Sequence, residues 1–281
     1  LKEKAQPPDA VSRFWRPVLI SAANAELDVM AARHGLQVFR LAFLGGGSSH
    51  EMGVPLVPLS ELYSRLDQGR GGRLDIRLHS PVESIRVEGG AVSAVSVAGE
   101  RLRAGCYVSA LPFGRLAALA PDLQLDVSAF RHSPITGIHL WFDRPVTDLP
   151  HAALLDRTIQ WMFNKAGGRY VHLVVSASHS LVAMGQAEIV SLARRELAEF
   201  FPPAGAALLL KARVVKEVRA TFAPVPGLES LRPGPVAALK NLFLAGDWTR
   251  TGWPSTMEGA VRSGYAAAEA VSEAAGSRRA F

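Results

Sequence analysis

The residues with the most specific chemical pattern lie between Asn241 and Val271, in the run NLFLAGDWTRTGWPSTMEGAVRSGYAAAEAV. Asn241 to Ala245 is a short apolar run that stops at Gly246, and Asp247 then sets a carboxylate at its end. A buried parallel strand reads this way, and its carboxyl end opens onto a ligand crevice. After a loop carrying Trp248, Trp253 and Pro254, the pair Ser255-Thr256 precedes Met257, Ala260, Val261, Gly264, Ala268 and Val271, apolar or small positions at helical spacing. The start of such a helix presents unpaired N–H groups and a partial positive charge, which suits a phosphate or the electron-rich edge of a ring. Gly259, Ala260 and Gly264 lack bulk, so a sheet or a ligand can approach closely. An ordinary βα unit with a Ser/Thr cap has the same pattern.

A second group is aromatic. Pro134 to Asp143 and Ile159 to Lys165 read as strands, with His139 and Trp141 alternating onto one face and Trp161 and Phe163 onto another. Aromatic faces of this kind wall apolar sites or stabilise cations, and they also fill cores. Gly45 to His50 resembles a phosphate loop only superficially, because GxGxxG requires glycine at position 50 and the flanks are not strand then helix. It reads as a flexible turn.

The elements that must position these groups follow from periodicity. Residues 1–50 read as helices, with Asn24 as a cap for the second. Pro58 to Leu66 is expected to be a short helix and Gly71 to Leu78 a strand. Pro81 to Gly99 alternates between turn residues as an antiparallel meander, and Arg101 to Ala110 is a further strand. Val171 to Ser176 and Val214 to Phe222 read as strands, and Ala187 to Phe201 as a helix that stops before Pro202-Pro203.

With 281 residues, 48% hydrophobic and 20% charged, the composition is that of a globular chain able to bury a large core. A net charge of +6 favours acidic partners, an anionic membrane surface among them. Arg and Lys are scattered, with no runs interleaved with aromatics, so nucleic acid is not expected. Cys106 is the only cysteine, which excludes an intrachain disulfide and a cysteine metal cluster. It lies in an apolar run, is expected to be a buried thiol, and fits a cytoplasmic setting. No apolar stretch has membrane-span length.

AGDW…GWPSTMEGAVRSGYAAAEAV resembles the C-terminal flavin motif of the amine-oxidase and phytoene-desaturase superfamily, and RLDIRLHSPVESIRVEGGAVSAVSVAGERLRAGCYVSALPFGRLAALAP is similar to another segment of it. The resemblance implies an α/β (mixed α+β) fold: an FAD-binding Rossmann-like domain over residues 54–115 and 225–275, interleaved with a substrate domain over 1–53 and 116–224, then a tail, 276–281. It implies FAD as cofactor. Asp247, after Gly246, would bind a ribityl hydroxyl; Pro254, Ser255, Thr256, Met257, Gly259 and Ala260 would lie beside the pyrophosphate, ribityl chain and flavin ring; the Val82 backbone would contact the adenine.

PITGIHLWFDRPVTDLP, RTIQWMFNK, FWRPVLISAANAELD and ATFAPVPGLESLRPGP are similar to segments of one branch, the squalene-associated FAD-dependent desaturases, or hydroxysqualene dehydroxylases. Amine oxidases usually carry tyrosine just before MEGA, where this chain has Thr256, which argues against an amine substrate and leaves room for an isoprenoid. The implied reaction replaces an allylic hydroxyl by hydride, giving squalene and water. Trp141, Trp161 and Phe163 are then candidates to bind the substrate and shelter an allylic cation, with His139, Lys165 and His172 as candidate acids. A peripheral contact with the inner membrane face is compatible with such a substrate. A carotenoid or phytoene-type desaturase and an amine oxidase are the alternatives. A further one is an inactive fragment unable to hold FAD: the superfamily's N-terminal strand, GxGxxG turn and helix do not occur in this chain, so the gene is expected to start late and the 281-residue chain to bind FAD weakly or not at all.

Overall fold

Alternation and paired glycines build the first sheet. In the computed structural model, which describes residues 1–47, 49, 51–63 and 74–276, β1 (Val82–Glu88) pairs antiparallel with β2 (Ala91–Val97), and β2 with β3 (Glu100–Leu102). Gly89 and Gly90 between β1 and β2, and Ala98 and Gly99 between β2 and β3, all have positive φ. Two-residue turns of that hand match the twist of the strands they join.

The strand expected from Arg101 to Ala110 is two elements. Its start stays with β2 as β3, residues 103–106 are exposed, and β4 (Tyr107–Ser109) belongs to a different sheet. The Tyr107 hydroxyl accepts from Ala104 N at 2.9 Å and closes the intervening turn. Cys106 lies in that turn and is exposed, contrary to the expectation of a buried thiol.

The aromatic segments form a five-stranded antiparallel sheet of β5 (His132–Phe142), β6 (His151–Ala153), β7 (Trp161–Lys165), β8 (Tyr170–Ser176) and β9 (Leu209–Phe222), in the order β6-β7-β8-β5-β9. Strand period decides its layers. Ile138, Leu140, Phe142, Met162, Val171, Leu173 and Val175 are buried on one face, in one cluster with Leu181 and with Ile189, Ala193 and Leu197 of the helix Gln186–Phe200. Each such side chain is worth roughly 1.5–3 kcal/mol of burial. Glu196 of the same helix is also buried, and its carboxylate accepts from Thr158 N (3.2 Å) and Ile159 N (2.8 Å), the backbone leading into β7.

Asn24 does not cap the second helix. It closes the helix Arg16–Ala23 in the left-handed region, φ 50, and its buried amide donates to Ser133 O (3.0 Å) and Thr221 Oγ1 (2.8 Å) and accepts from Ala177 N (2.6 Å). One side chain thus ties a helix end to β5, β9 and the end of β8, a set of partners that outweighs a helix cap.

β10 (Leu242–Leu244) is fully buried and runs parallel to β4, Leu242 beside Tyr107 and Leu244 beside Ser109. The Asn241 side chain bonds both ways to Val92 of β2, donating to O and accepting from N at 2.9 and 2.8 Å. The helix Met257–Ala274 follows. Leu59–Leu62 is one 3-10 turn, and residues 74–78 are not strand; the rest of the segments expected over 58–66 and 71–78 lies partly outside the described residues, as do Ser48, His50 and residues 277–281 of the tail.

The chain divides into two units that alternate along the sequence. The first takes Leu1–Leu36, Ser128–Arg232 and Arg250–Val261; the second takes Gln37–Val127, Pro233–Thr249 and Arg262–Phe281. Among the described residues no helix is long and apolar enough to cross a membrane.

Candidate functional site

In the second unit, the carboxyl ends of β4 and β10 carry the residues singled out by sequence. Gly246 has φ +128, and a Cβ there would stand 2.6 Å from Trp248 Nε1, so this position requires glycine twice over. Gly246 N donates to Ser263 Oγ (2.7 Å), and the Trp248 indole N–H donates to Leu111 O (3.0 Å). Asp247, half-buried, is held between these two anchored neighbours. At the end of β4, Ser109 Oγ is buried and has no hydrogen-bond partner among the described residues. An orphaned buried hydroxyl costs about 1–3 kcal/mol, so its place at the carboxyl end of a parallel pair fits a polar ligand group such as a flavin's. Val82 is half-buried at the head of β1, where its carbonyl accepts from Arg115 Nη2 at 3.3 Å.

In the first unit, the loop before the last helix is held by an arginine that sequence reasoning passed over. Arg232 is 1% exposed. It donates to Glu229 (2.6 Å), Trp253 O (2.6 Å) and Thr251 Oγ1 (3.1 Å), and its guanidinium lies 5.4 Å from the Phe222 ring centroid. Glu229 also accepts from Gly252 N at 3.0 Å, and Arg232 O accepts from Arg250 Nε at 3.1 Å. The signal was available: Glu229 three residues before Arg232, in an otherwise apolar stretch.

Pro254 and Ser255 are buried, and Thr256 caps the helix by accepting the Gly259 N–H at Oγ1, 3.1 Å, while Ala260 N donates to Thr256 O. A Cβ on Gly259 would meet Pro254 O at 2.9 Å, which explains the glycine by backbone approach. Met257 and Ala260 are exposed. The helix face differs from the one expected: Gly259, Ser263, Ala267 and Ala270 are buried, while Met257, Val261 and Tyr265 are more than half exposed. Ser263 must sit close enough to take the Gly246 N–H, and only the small-residue face allows that approach.

The second face of the five-stranded sheet, also in the first unit, gathers the aromatic candidates. Sequence alternation put Trp161 and Phe163 on a face of their own; the register joins them to His139 and Trp141. Phe163 stands beside His172, and His172 beside His139. The His139 and His172 rings are parallel, 4.3 Å apart at 7°, and Trp141 stacks on Tyr170 at 4.7 Å and 9°. Trp161 and Phe163 are 6.1 Å apart, and the Trp161 N–H donates to Ser21 Oγ at 2.5 Å. His139 Nδ1 lies 2.8 Å from Tyr170 Oη. Lys165 adjoins Tyr170 in register. Burial, with His139 and Lys165 nearby, pushes His172 down to about 4, and burial and Arg213 lower His139. Burial raises the Tyr170 hydroxyl. Both imidazoles are therefore neutral near pH 7, and Tyr170 keeps its proton.

Among the described residues, no cluster of three or more His, Cys, Asp or Glu side chains could hold a metal ion. The family described as flavin containing amine oxidoreductase matches residues 3–272. Among curated proteins, the chain is 32% identical to a hydroxysqualene dehydroxylase of Sinorhizobium fredii, over 92% of this chain and 61% of that protein. It is 28% identical to a 15-cis-phytoene desaturase of Synechococcus elongatus, over 82% of this chain and 52% of that protein. The chain thus spans between half and two thirds of the length of these relatives. In fold it is similar to the cyclohexylamine oxidase of Brevibacterium oxydans, with a TM-score of 0.59 at 15% identity over 96% of this chain and 66% of that one.

Proposed function

The chain belongs to the flavin containing amine oxidoreductase family, and from that premise we propose that it acts in an FAD-dependent oxidoreductase whose substrate is a long isoprenoid, the reaction being reductive dehydroxylation of hydroxysqualene to squalene. The observation that carries the reading is the aromatic face of the sheet, where Trp141, Tyr170, Phe163 and Trp161 lie in one surface with two neutral histidines. Such a face suits an apolar chain and a transient cation better than a charged substrate.

FAD is assigned to the strand-loop-helix motif: Asp247 would take a ribityl hydroxyl, Pro254, Ser255, Thr256, Met257, Gly259 and Ala260 are the residues assigned to the rest of the cofactor, and the Val82 backbone would take the adenine. The buried Ser109 hydroxyl, without a hydrogen-bond partner among the described residues, supports a polar ligand there. When reduced, the flavin supplies hydride. The protein's own residues must hold the isoprenoid dry, orient its reacting carbon and help the oxygen leave. Trp141, Trp161 and Phe163 are assigned to the chain.

A desaturase reading has support in the likeness to the phytoene desaturase. The redox direction separates the two. Purified protein supplied with FAD, a reductant and hydroxysqualene should yield squalene by gas chromatography and mass spectrometry. Phytoene converted to a product with new conjugated double bonds, and no squalene, would replace this reading with desaturation.

A further inference from the structure

We propose that one end of the five-stranded sheet is a docking surface for an anionic lipid bilayer, with Leu149, Leu208 and Leu210 entering the apolar layer and the cations around them meeting the headgroups. The surface lies wholly in the first unit and is independent of the reaction proposed above. β5 ends at Phe142 and β7 at Lys165, while β6, β8 and β9 begin at His151, Tyr170 and Leu209. Segments 143–150 and 166–169 and the start of β9 therefore meet at the same end of the antiparallel sheet.

Hydrogen bonds fix these segments to one another. Phe142 N donates to Arg169 O (2.7 Å), Val146 N to Gly168 O (3.0 Å) and Asp143 N to Leu208 O (3.1 Å). Leu208 N returns to Asp143 Oδ1 (2.9 Å), and Leu149 N donates to Thr147 Oγ1 (3.1 Å). Leu210 owes its exposure to the register: Trp141 pairs with Lys211 and Phe142 with Leu209, which leaves Leu210 as the extra residue of a bulge. Leu149, Leu208 and Leu210 are 52%, 63% and 61% exposed, on backbone that is held in place.

A lone exposed leucine is ordinary, so the charge around these three decides what they meet. Lys165 lies beside Tyr170, Tyr170 beside Trp141 and Trp141 beside Lys211, in one row across four strands. Arg213 shares the side of β9 that carries Lys211, by strand period, and Arg169 donates to the Asp143 carbonyl at 2.9 Å. Among the described residues none of these four cations has an ion-pair partner, whereas Arg144 is paired with Asp143. Asp148 is the one other acid of these segments. Lys211 sits over the Trp141 ring at 5.0 Å, and Trp141 stacks on Tyr170. Aromatic rings edged by cations suit the headgroup layer, and each cation near an anionic surface adds to the attraction. Leucines projecting from separate segments suit a fluid layer, which needs no matching pocket as an acidic protein would. Affinity for such a layer grows with the apolar area buried and with the attraction to anionic lipid.

The test is flotation of the purified full chain with vesicles of phosphatidylcholine alone and of phosphatidylcholine mixed with phosphatidylglycerol. Partition onto the anionic vesicles should be stronger by about tenfold or more and should fall as salt rises. Leu208→Ser with Leu210→Ser, and separately Lys211→Gln with Arg213→Gln, should each lower it by about tenfold or more with an unchanged far-ultraviolet spectrum. Val218→Ser, at an exposed position further along β9, should leave it unchanged. Equal partition onto the two kinds of vesicle, or a partition that survives in either double variant, overturns the docking surface. A loss in Val218→Ser as large as that in the leucine pair overturns its placement at this end of the sheet. A chain that floats with neither vesicle overturns the membrane assignment and leaves an acidic protein as the partner.

Discussion

Arg232 and Glu229 form a nearly buried ion pair, 2.6 Å long, that also bonds to Thr251, Gly252 and Trp253 of the loop before the last helix. Together they fix the backbone that leads into Pro254 to Gly259. Pairs of this kind are weak evidence of net stability, but removing one partner strands the other charge.

Arg232→Ala should therefore destabilise the protein by about 3–5 kcal/mol, a range set by the uncompensated Glu229 charge. Urea unfolding measures it. Replacing both residues together, Arg232→Met with Glu229→Gln, should cost clearly less than the single change, because no buried charge is left unpaired. A double variant as unstable as Arg232→Ala would show that shape, not charge, is what the pair contributes.

Asp247 sits at the carboxyl end of β10, between Gly246 with its N–H on Ser263 and Trp248 with its N–H on Leu111. If its carboxylate accepts a flavin hydroxyl, Asp247→Ala loses one charge-assisted bond, about 1.5–3 kcal/mol, or roughly 10- to 150-fold in flavin affinity. Equilibrium dialysis against FAD reads this directly. Asp247→Asn, which keeps an acceptor, should recover part of the loss. Affinity unchanged in both variants would remove Asp247 from the cofactor site.

What sequence made legible was whatever is encoded locally. The paired turn residues at Gly89-Gly90 and Ala98-Gly99 announced the meander, and the apolar run ending at Gly246, followed by Ser255-Thr256, announced strand, loop and capped helix. What it concealed depends on partners distant in the chain. Strand alternation puts His139 with Trp141 and Trp161 with Phe163, but only the register of β8 between β5 and β7 makes them one surface. The glycine at Gly137 is explained the same way, since a Cβ there would meet His172 Nε2 at 3.1 Å. The burial of Arg232 depends on Phe222, Thr251 and Trp253, none of them a near neighbour in sequence. On the last helix, hydrophobicity pointed to Met257 and Val261 as the inner face, whereas the close approach of Ser263 to Gly246 selected the small residues.

The two stacked histidines make stability fall on acidification, in a window set by His172. Its ordinary value of 6.5 is lowered to about 4 by burial and by the proximity of His139 and Lys165. A histidine lowered in the fold binds its proton more tightly when unfolded, so protons favour unfolding. The contribution is complete above pH 6.5, and stability is lost as pH falls from 6.5 toward 4, below which no more is lost from this group. Taken at face value the shift is worth about 3 kcal/mol, and the partial solvent access of the ring reduces that to about 1–2 kcal/mol. His139, lowered by burial and by Arg213, adds a loss of the same sign. Urea unfolding at pH 7, 6, 5 and 4.5 on the wild type and on His172→Phe separates the two: the variant should lose the larger part of the slope and keep the remainder. A slope of equal size in the variant would mean that His172 binds its proton equally in the folded and unfolded protein, so that burial does not lower it.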